Sequence, residues 1–256
     1  MAPTAGAAPA EMWYAEHGQG QPLVLLHPAP VDSRAFAPNL DGLSRHFGLY
    51  TPDRRGHGHT PDPGGPLSYQ VMATDMIAFL ETVVRGPAFL LGYSDGAVVA
   101  LLTAMRRPDL VRRLVFAAGV FHRDGWADGV LDSDVTPPEF IRDSYAEVSP
   151  DGREHFDVVM AKLAAEHASE PSLTETDLRS IATRTLIVLG DDDEVRLEHA
   201  VTMYRTMPQA ELAVVPGTSH GLLPEKPDLC NQIITDFLRQ DPVPTFAPIR
   251  RAAQAP

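Results

Sequence analysis

Cysteine is almost missing from this chain. One residue in 256, Cys230, carries a thiol, so no disulfide framework holds the fold together. No apolar run approaches the roughly 20 residues that a membrane-spanning helix requires. Positive charge is also short: 21 lysine and arginine residues face 34 aspartate and glutamate residues, a formal net charge of −13, which argues against a nucleic-acid-binding surface. No pair among the ten histidines has the spacing of zinc ligands on one helix face, so neither a metal nor a cofactor is expected. Residues 1–10 lack the basic segment and the hydrophobic stretch of a secretory signal, which points to the cytoplasm. Oligomeric state leaves no mark in the sequence. What is present is a 44% hydrophobic chain, long enough to bury one large core.

Two stretches spell G-x-S-x-G: Gly92-Tyr93-Ser94-Asp95-Gly96 and Gly217-Thr218-Ser219-His220-Gly221. Ser94 follows an apolar run at 88–91, bounded upstream by Gly86-Pro87, which reads as a buried strand of a parallel sheet. It precedes residues 96–105, apolar nearly all round and stopped by Arg106-Arg107-Pro108, which read as a buried helix. A strand that turns into a helix through one serine forces that serine into a sharp bend with its hydroxyl projecting. The flanking glycines remove the side chains that collide at such a bend. A plain helix-capping serine would leave both glycines unexplained, so Ser94 is the candidate nucleophile. The second match follows a strand at 211–215, but Leu222, Leu223 and Pro224 intervene before the next helix, and Pro224 and Pro227 place its start later. No histidine follows His220, so this loop offers His220 rather than Ser219.

Strands and helices alternate along the chain. A helix is expected at 33–46 with Phe36, Leu40 and Leu43 on one face, then a strand near Leu49, a helix over about 68–84, and strands at 114–118 and from 185. This order predicts an α/β protein with a parallel, doubly wound sheet and sites at the carboxyl ends of its strands. Between the last two strands, Phe156, Val159, Met160 and Leu163 have the spacing of one buried helix face. Cys230 shares the final helical pattern with Leu229, Ile233 and Phe237, as a packing residue.

Four segments resemble, in order, those of an α/β-hydrolase-fold serine hydrolase of the esterase and lipase-like superfamily. Leu23-Val24-Leu25-Leu26-His27 resembles the strand leading into the oxyanion loop. Pro52-Asp53-Arg54-Arg55-Gly56-His57-Gly58-His59-Thr60 resembles the D-x-R-G-x-G-x-S segment. Leu186-Ile187-Val188-Leu189-Gly190-Asp191-Asp192-Asp193 resembles the acid strand, and residues 217–221 the histidine loop. The resemblance covers about residues 12–239. It implies the α/β-hydrolase fold, a mostly parallel doubly wound sheet with helices on both faces. The core would be 12–120 and 182–239, with a helical cap inserted at 121–181, a flexible lead at 1–11 and a flexible tail at 240–256.

The resemblance also implies a triad in the chain order Ser, acid, His, supplied by Ser94, the acidic run 191–194, and His220. The family's Gly-x-x-Asp spacing selects Asp193, with Asp192 next. The oxyanion would be held by the backbone N–H groups of Asp95 and Ala29, and His27, Pro28 and Tyr93 are candidate pocket residues. Pro28 stands where the family usually has glycine and donates no N–H. His27 is expected to hold the oxyanion loop by a local hydrogen bond. The Asp95 carboxylate would oppose an oxyanion unless it points away or pairs with a base, for which Arg54 and Arg55 are the candidates. His57 and His59 read as polar loop residues, and His155, His167 and His199 as surface residues.

Residues 121–181 carry 14 acids and five basic residues, a net of −9. These acids either solvate the outer faces of the insertion or disfavour anionic substrates through their field. The function implied is hydrolysis of a carboxylic ester or related small acyl substrate through an acyl-enzyme on Ser94. Enol-lactone, thioester, carbon–carbon and peracid chemistry use similar constellations, and a catalytically idle ligand-binding protein is the alternative from another class.

Overall fold

The computed structural model describes residues 12–131, 137–241, 245–247 and 249. The expected lead at 1–11, most of the expected tail at 240–256, and residues 132–136 of the insertion lie outside these. Among the described residues, seven strands form one sheet: β1 (Tyr14–His17), β2 (Gln21–Leu26), β3 (Phe47–Pro52), β4 (Ala88–Tyr93), β5 (Val111–Ala117), β6 (Thr185–Asp192) and β7 (Ala210–Ser219). Their order is β1-β3-β2-β4-β5-β6-β7. β1 runs antiparallel to β3, and every other pairing is parallel. The helices follow as α1 (Ala37–Ser44), α2 (Tyr69–Phe79), α3 (Asp95–Arg106), α4 (Glu139–Val148), α5 (Phe156–His167), α6 (Glu175–Arg179), α7 (Leu197–Thr206), α8 (Leu222–Glu225) and α9 (Pro227–Arg239).

Strand alternation sends successive side chains into two layers. Val24, Leu26 and Leu90 join the core beneath α2, α3, α5 and α7; Leu23, Leu25, Phe89 and Leu91 join the core beneath α1 and α9. Both faces are covered, which is why β2 and β4 read as unbroken apolar runs. The face expected for the central helix is present: Phe156, Val159 and Leu163 of α5 are buried and Met160 packs beside them. Cys230 is buried and its Sγ donates to Leu222 O at 3.3 Å. Burial pushes this thiol up to about 11, as an inert packing group.

Two boundaries differ from the sequence reading. The expected helix at 33–46 is a 3-10 turn, Ser33–Phe36, followed by α1, which restarts with Pro38 in its first turn, where the missing N–H has no partner to lose. A helical turn, α8, begins directly after Gly221, contrary to the expectation of a later start; Pro224 is its third residue and so also falls among the unpaired first N–H groups. The longer helix does begin at Pro227.

The strand order places the site. From β2 the chain goes to β3 on one side, while from β4 it goes to β5 on the other. The loops after β2 and β4 therefore diverge, and a crevice opens between the carboxyl ends of these neighbouring strands.

Candidate active site

Ser94 stands between β4 and α3 with φ 54° and ψ −121°, a conformation costly for a residue with a side chain. Its N–H donates to Ala117 O at 2.8 Å, and its carbonyl accepts from Ala97 N–H at 2.8 Å. Both flanking glycines are required by contact: a Cβ at Gly92 would lie 2.3 Å from Gly96 O, and one at Gly96 would lie 2.1 Å from Leu26 O and 2.7 Å from His27 O. The α3 backbone is thus pressed against the end of β2. Gly96→Ala is expected to destabilise the protein by about 3 kcal/mol, the upper end for overpacking, because the obstacle is backbone. Gly86→Ala meets nothing within 4 Å and is expected to change stability by less than about 0.5 kcal/mol. Denaturant midpoints of the two variants compare them directly, and equal midpoints would refute the close approach.

Ser94, His220 and Asp193 are brought together from three strand ends. His220 Nε2 lies 3.0 Å from Ser94 Oγ, and His220 Nδ1 lies 2.8 Å from Asp193 Oδ1. The tautomer that donates Nδ1–H to Asp193 leaves Nε2 to accept the serine proton. Asp193 is itself held by Gly190 N–H and Val195 N–H, each at 3.0 Å. Burial works against its charge, but the hydrogen bond from His220 and these two N–H groups outweigh it and keep the carboxyl below its usual range. Burial likewise opposes the His220 imidazolium, and the hydrogen bond and charge of Asp193 outweigh it, so the ring titrates above an ordinary histidine. Of the other acids in the run, Asp191 accepts from Thr218 N–H at 3.1 Å, and Glu194 reaches only 4.0 Å from His220 Nε2.

Ala29 lies in the loop after β2, and the Asp95 N–H is the first of α3. Neither N–H has a hydrogen-bond partner among the described residues. His27 holds this loop: it is fully buried, its Nδ1 lies 2.8 Å from Pro28 O, and its Nε2 accepts Arg54 N–H at 2.9 Å. Arg54 N–H thus ties the loop after β2 to the loop after β3. His57 is buried as well, and burial with the neighbouring Arg54 charge takes it down to about 3. His59 pairs with Asp53 and stacks on Trp13. Tyr93 is buried, and its hydroxyl donates to His220 O at 2.6 Å, so it braces the histidine loop from below.

The base that pairs with Asp95 is neither arginine suggested by the sequence. Arg55 is engaged by Asp75, and Arg54 directs Nη1 to Met72 Sδ at 3.1 Å. Instead, His167 Nε2 sits 3.1 Å from both Asp95 oxygens, and Tyr69 Oη donates to Asp95 Oδ1 at 2.7 Å. Burial opposes the Asp95 charge, but His167, Arg54 and Tyr69 outweigh it and hold the group far below the usual carboxylate range. Nearby, burial and the Asp95 charge push Glu166 up to about 9, so it is neutral at pH 7. The three histidines expected at the surface all have partners: His167 with Asp95, His155 with Asp62 at 2.9 Å, and His199 stacked on Phe121 while accepting its N–H at 3.1 Å. A helix reading assigns faces within the insertion but not what the core offers each face. Glu166 carried a local signal, since it continues the buried series Phe156, Val159, Leu163 of α5. Trp126, whose ring meets that of His220 edge-on at 5.7 Å, carried none.

The described part of 121–181 contains α4, α5 and α6 and reaches the site through His167 at Asp95 and Trp126 at His220. Most of the described acids in it are exposed and several are paired: Glu139 and Asp143 with Arg153, and Asp157 with Arg142. This arrangement matches solvation of outer faces. A cavity of about 630 Å³ is lined by Ala29 and Pro30 of the loop after β2 and otherwise by residues of 121–181, among them Phe156, Met160, Leu163 and His167 of α5; Ser94, Asp193 and His220 do not line it. His27, Pro28 and Tyr93 are not part of this wall. Among the described residues, no group of histidine, cysteine and acidic side chains is arranged to hold a metal ion, and no helix is long and apolar enough to cross a membrane.

The model of the alpha/beta hydrolase family matches residues 23–233. The chain is similar to AB hydrolase superfamily protein YisY of Bacillus subtilis, at 27% identity over 86% of this chain and 92% of that protein. It is similar at 26% identity to the 2-(acetamidomethylene)succinate hydrolase of Mesorhizobium japonicum, over 87% of this chain and 90% of the other. Among solved structures, it resembles a serine hydrolase involved in carbazole degradation with a TM-score of 0.74 at 21% identity, over 89% of this chain and 94% of that one. It resembles the enol-lactonase of Burkholderia xenovorans with a TM-score of 0.72 at 20% identity, over 90% and 96%.

Proposed function

Because the chain belongs to the alpha/beta hydrolase family, we propose that it is a serine hydrolase that cleaves a carboxylic ester, or a related acyl substrate, through an acyl-enzyme on Ser94. The observation that carries this reading is the continuous line from Ser94 Oγ through both nitrogens of His220 to Asp193, at 3.0 and 2.8 Å, beginning on a serine held at a strained turn. Ser94 Oγ attacks the carbonyl carbon as its proton passes to His220 Nε2. The resulting imidazolium is stabilised by Asp193 and returns the proton to the leaving alcohol. Water then attacks the acyl-enzyme with His220 again as base, releasing the acid and restoring Ser94.

In both tetrahedral intermediates the negative oxygen is held by the N–H groups of Ala29 and Asp95. Pairing of the Asp95 side chain with His167 supports this role, because it directs and offsets the carboxylate charge next to the oxyanion. In this reading residues 121–181 are the cap, and the 630 Å³ cavity, within the size range of small-molecule sites, receives the substrate. Lactones and activated carbon–carbon bonds offer the same nucleophile an equivalent carbonyl.

A fluorophosphonate reagent tests the assignment. Wild type is expected to label on Ser94, and Ser94→Ala to remain unlabelled. A folded wild type that takes no label would favour an idle ligand-binding protein. A series of p-nitrophenyl esters of increasing chain length, run beside lactones, then identifies the bond.

A further inference from the structure

Both acidic and basic side chains line the cavity. Among the described residues, two acids reach its wall, and both are occupied: Asp157 by Arg142, Glu139 by Arg153. Arg123 and His167, both on this wall, keep open donors. Arg123 spends Nη1 on Ala168 O, and its Nε and Nη2 have no partner among the described residues. His167, the last residue of α5, places Nε2 against both oxygens of Asp95 while its Nδ1 has no partner among the described residues; a quarter of its side chain is exposed. The buried Asp95 carboxylate, fixed by Tyr69, orients this ring. A carboxylate with a ring nitrogen at 3.1 Å from each oxygen favours the charged imidazolium, in which Nδ1 also becomes a donor. Ala168, whose carbonyl Arg123 binds, directly follows His167, and Ala29 lines the same cavity.

We propose that His167 is a specificity-determining residue and that, with Arg123, it selects acyl substrates bearing a carboxylate. This rests on the hydrolase reading in that the carboxylate would belong to the molecule cleaved at Ser94. The Asp95 carboxylate, in contrast, is closed to substrate: it is 2% exposed and its oxygens are taken by His167 and Tyr69. A substrate amine therefore finds no free anion there.

The experiment uses Ser94→Ala, so that binding is read without turnover. Calorimetry compares monomethyl glutarate, dimethyl glutarate and methyl 4-aminobutanoate, which differ chiefly in the charge at one end. The monoester is expected to bind about tenfold tighter than the diester, as a charge-assisted hydrogen bond implies. Adding His167→Gln, or separately Arg123→Gln, is expected to remove most of that preference. Arg123→Gln serves as the second variant because it leaves the buried Asp95 pair intact. Equal binding of monoester and diester, or tightest binding of the amino ester, would overturn the proposal. Preference for the monoester in a protein whose wild type takes no fluorophosphonate label would support the carboxylate site and sink the hydrolase reading alone.

Discussion

Replacing Ser94 with alanine is expected to lower kcat on esters by roughly 10⁶-fold while the chain stays folded. The fold should be indifferent because alanine and serine suffer alike at φ 54°, and the N–H and carbonyl bonds that hold the turn are backbone. The residual rate would come from the Ala29 and Asp95 N–H groups and from substrate positioning, which act without a nucleophile. Wild-type kcat/KM should rise with pH through the titration of free His220, since only the neutral ring accepts the serine proton. Asp193 raises that titration above the ordinary histidine value, so the acid limb should have its midpoint above about 6.5. Activity is lost as pH falls below it. Raising the pH should not rescue Ser94→Ala. Steady-state rates with circular dichroism on the same samples check both points, and a folded variant retaining more than about 1% of wild-type kcat would remove Ser94 from the role.

The elbow was legible in the sequence because its causes are local. A strand, two glycines and a helix within 20 residues leave Ser94 one geometry, and the contacts of Gly92 and Gly96 with backbone explain why no other residue serves. His220 and Asp193 were legible through chain order and the positions that follow strands. β1 was not: Tyr14-Ala15-Glu16-His17 is half exposed along its length and carries no apolar run. The partner of Asp95 was not legible either. His167 lies 72 residues away on a different layer, and charge counting favoured the nearby Arg54 and Arg55. The outcome depended on where α5 ends over the elbow, which no spacing within the insertion encodes. The net charge of the insertion left two readings open, because a count of charges does not say which of them, such as Arg123, Glu139 and Asp157, reach the cavity wall.

Asp193→Asn is expected to reduce kcat by about 10⁴-fold, and the hydrogen bonds around Asp193 explain why so small a change should do so. As a carboxylate, Asp193 accepts from three donors: Val195 N–H and His220 Nδ1–H on one oxygen, and Gly190 N–H on the other. An asparagine has one acceptor oxygen to divide among them. If that oxygen faces Val195 and His220, the amide NH₂ opposes Gly190 N–H. If it faces Gly190, the NH₂ points at His220 Nδ1 and favours the tautomer with the proton on Nε2, which cannot take a proton from Ser94. Neither orientation supplies the negative charge that stabilises the imidazolium. With that charge gone, burial is left as the dominant influence on His220, so the acid limb of the pH profile should move to lower pH as kcat falls. Asp192→Asn, on an exposed neighbour, should leave both unchanged. A kcat loss in Asp193→Asn with no movement of the acid limb would mean that Asp193 holds the loop and does not act on His220 through its charge.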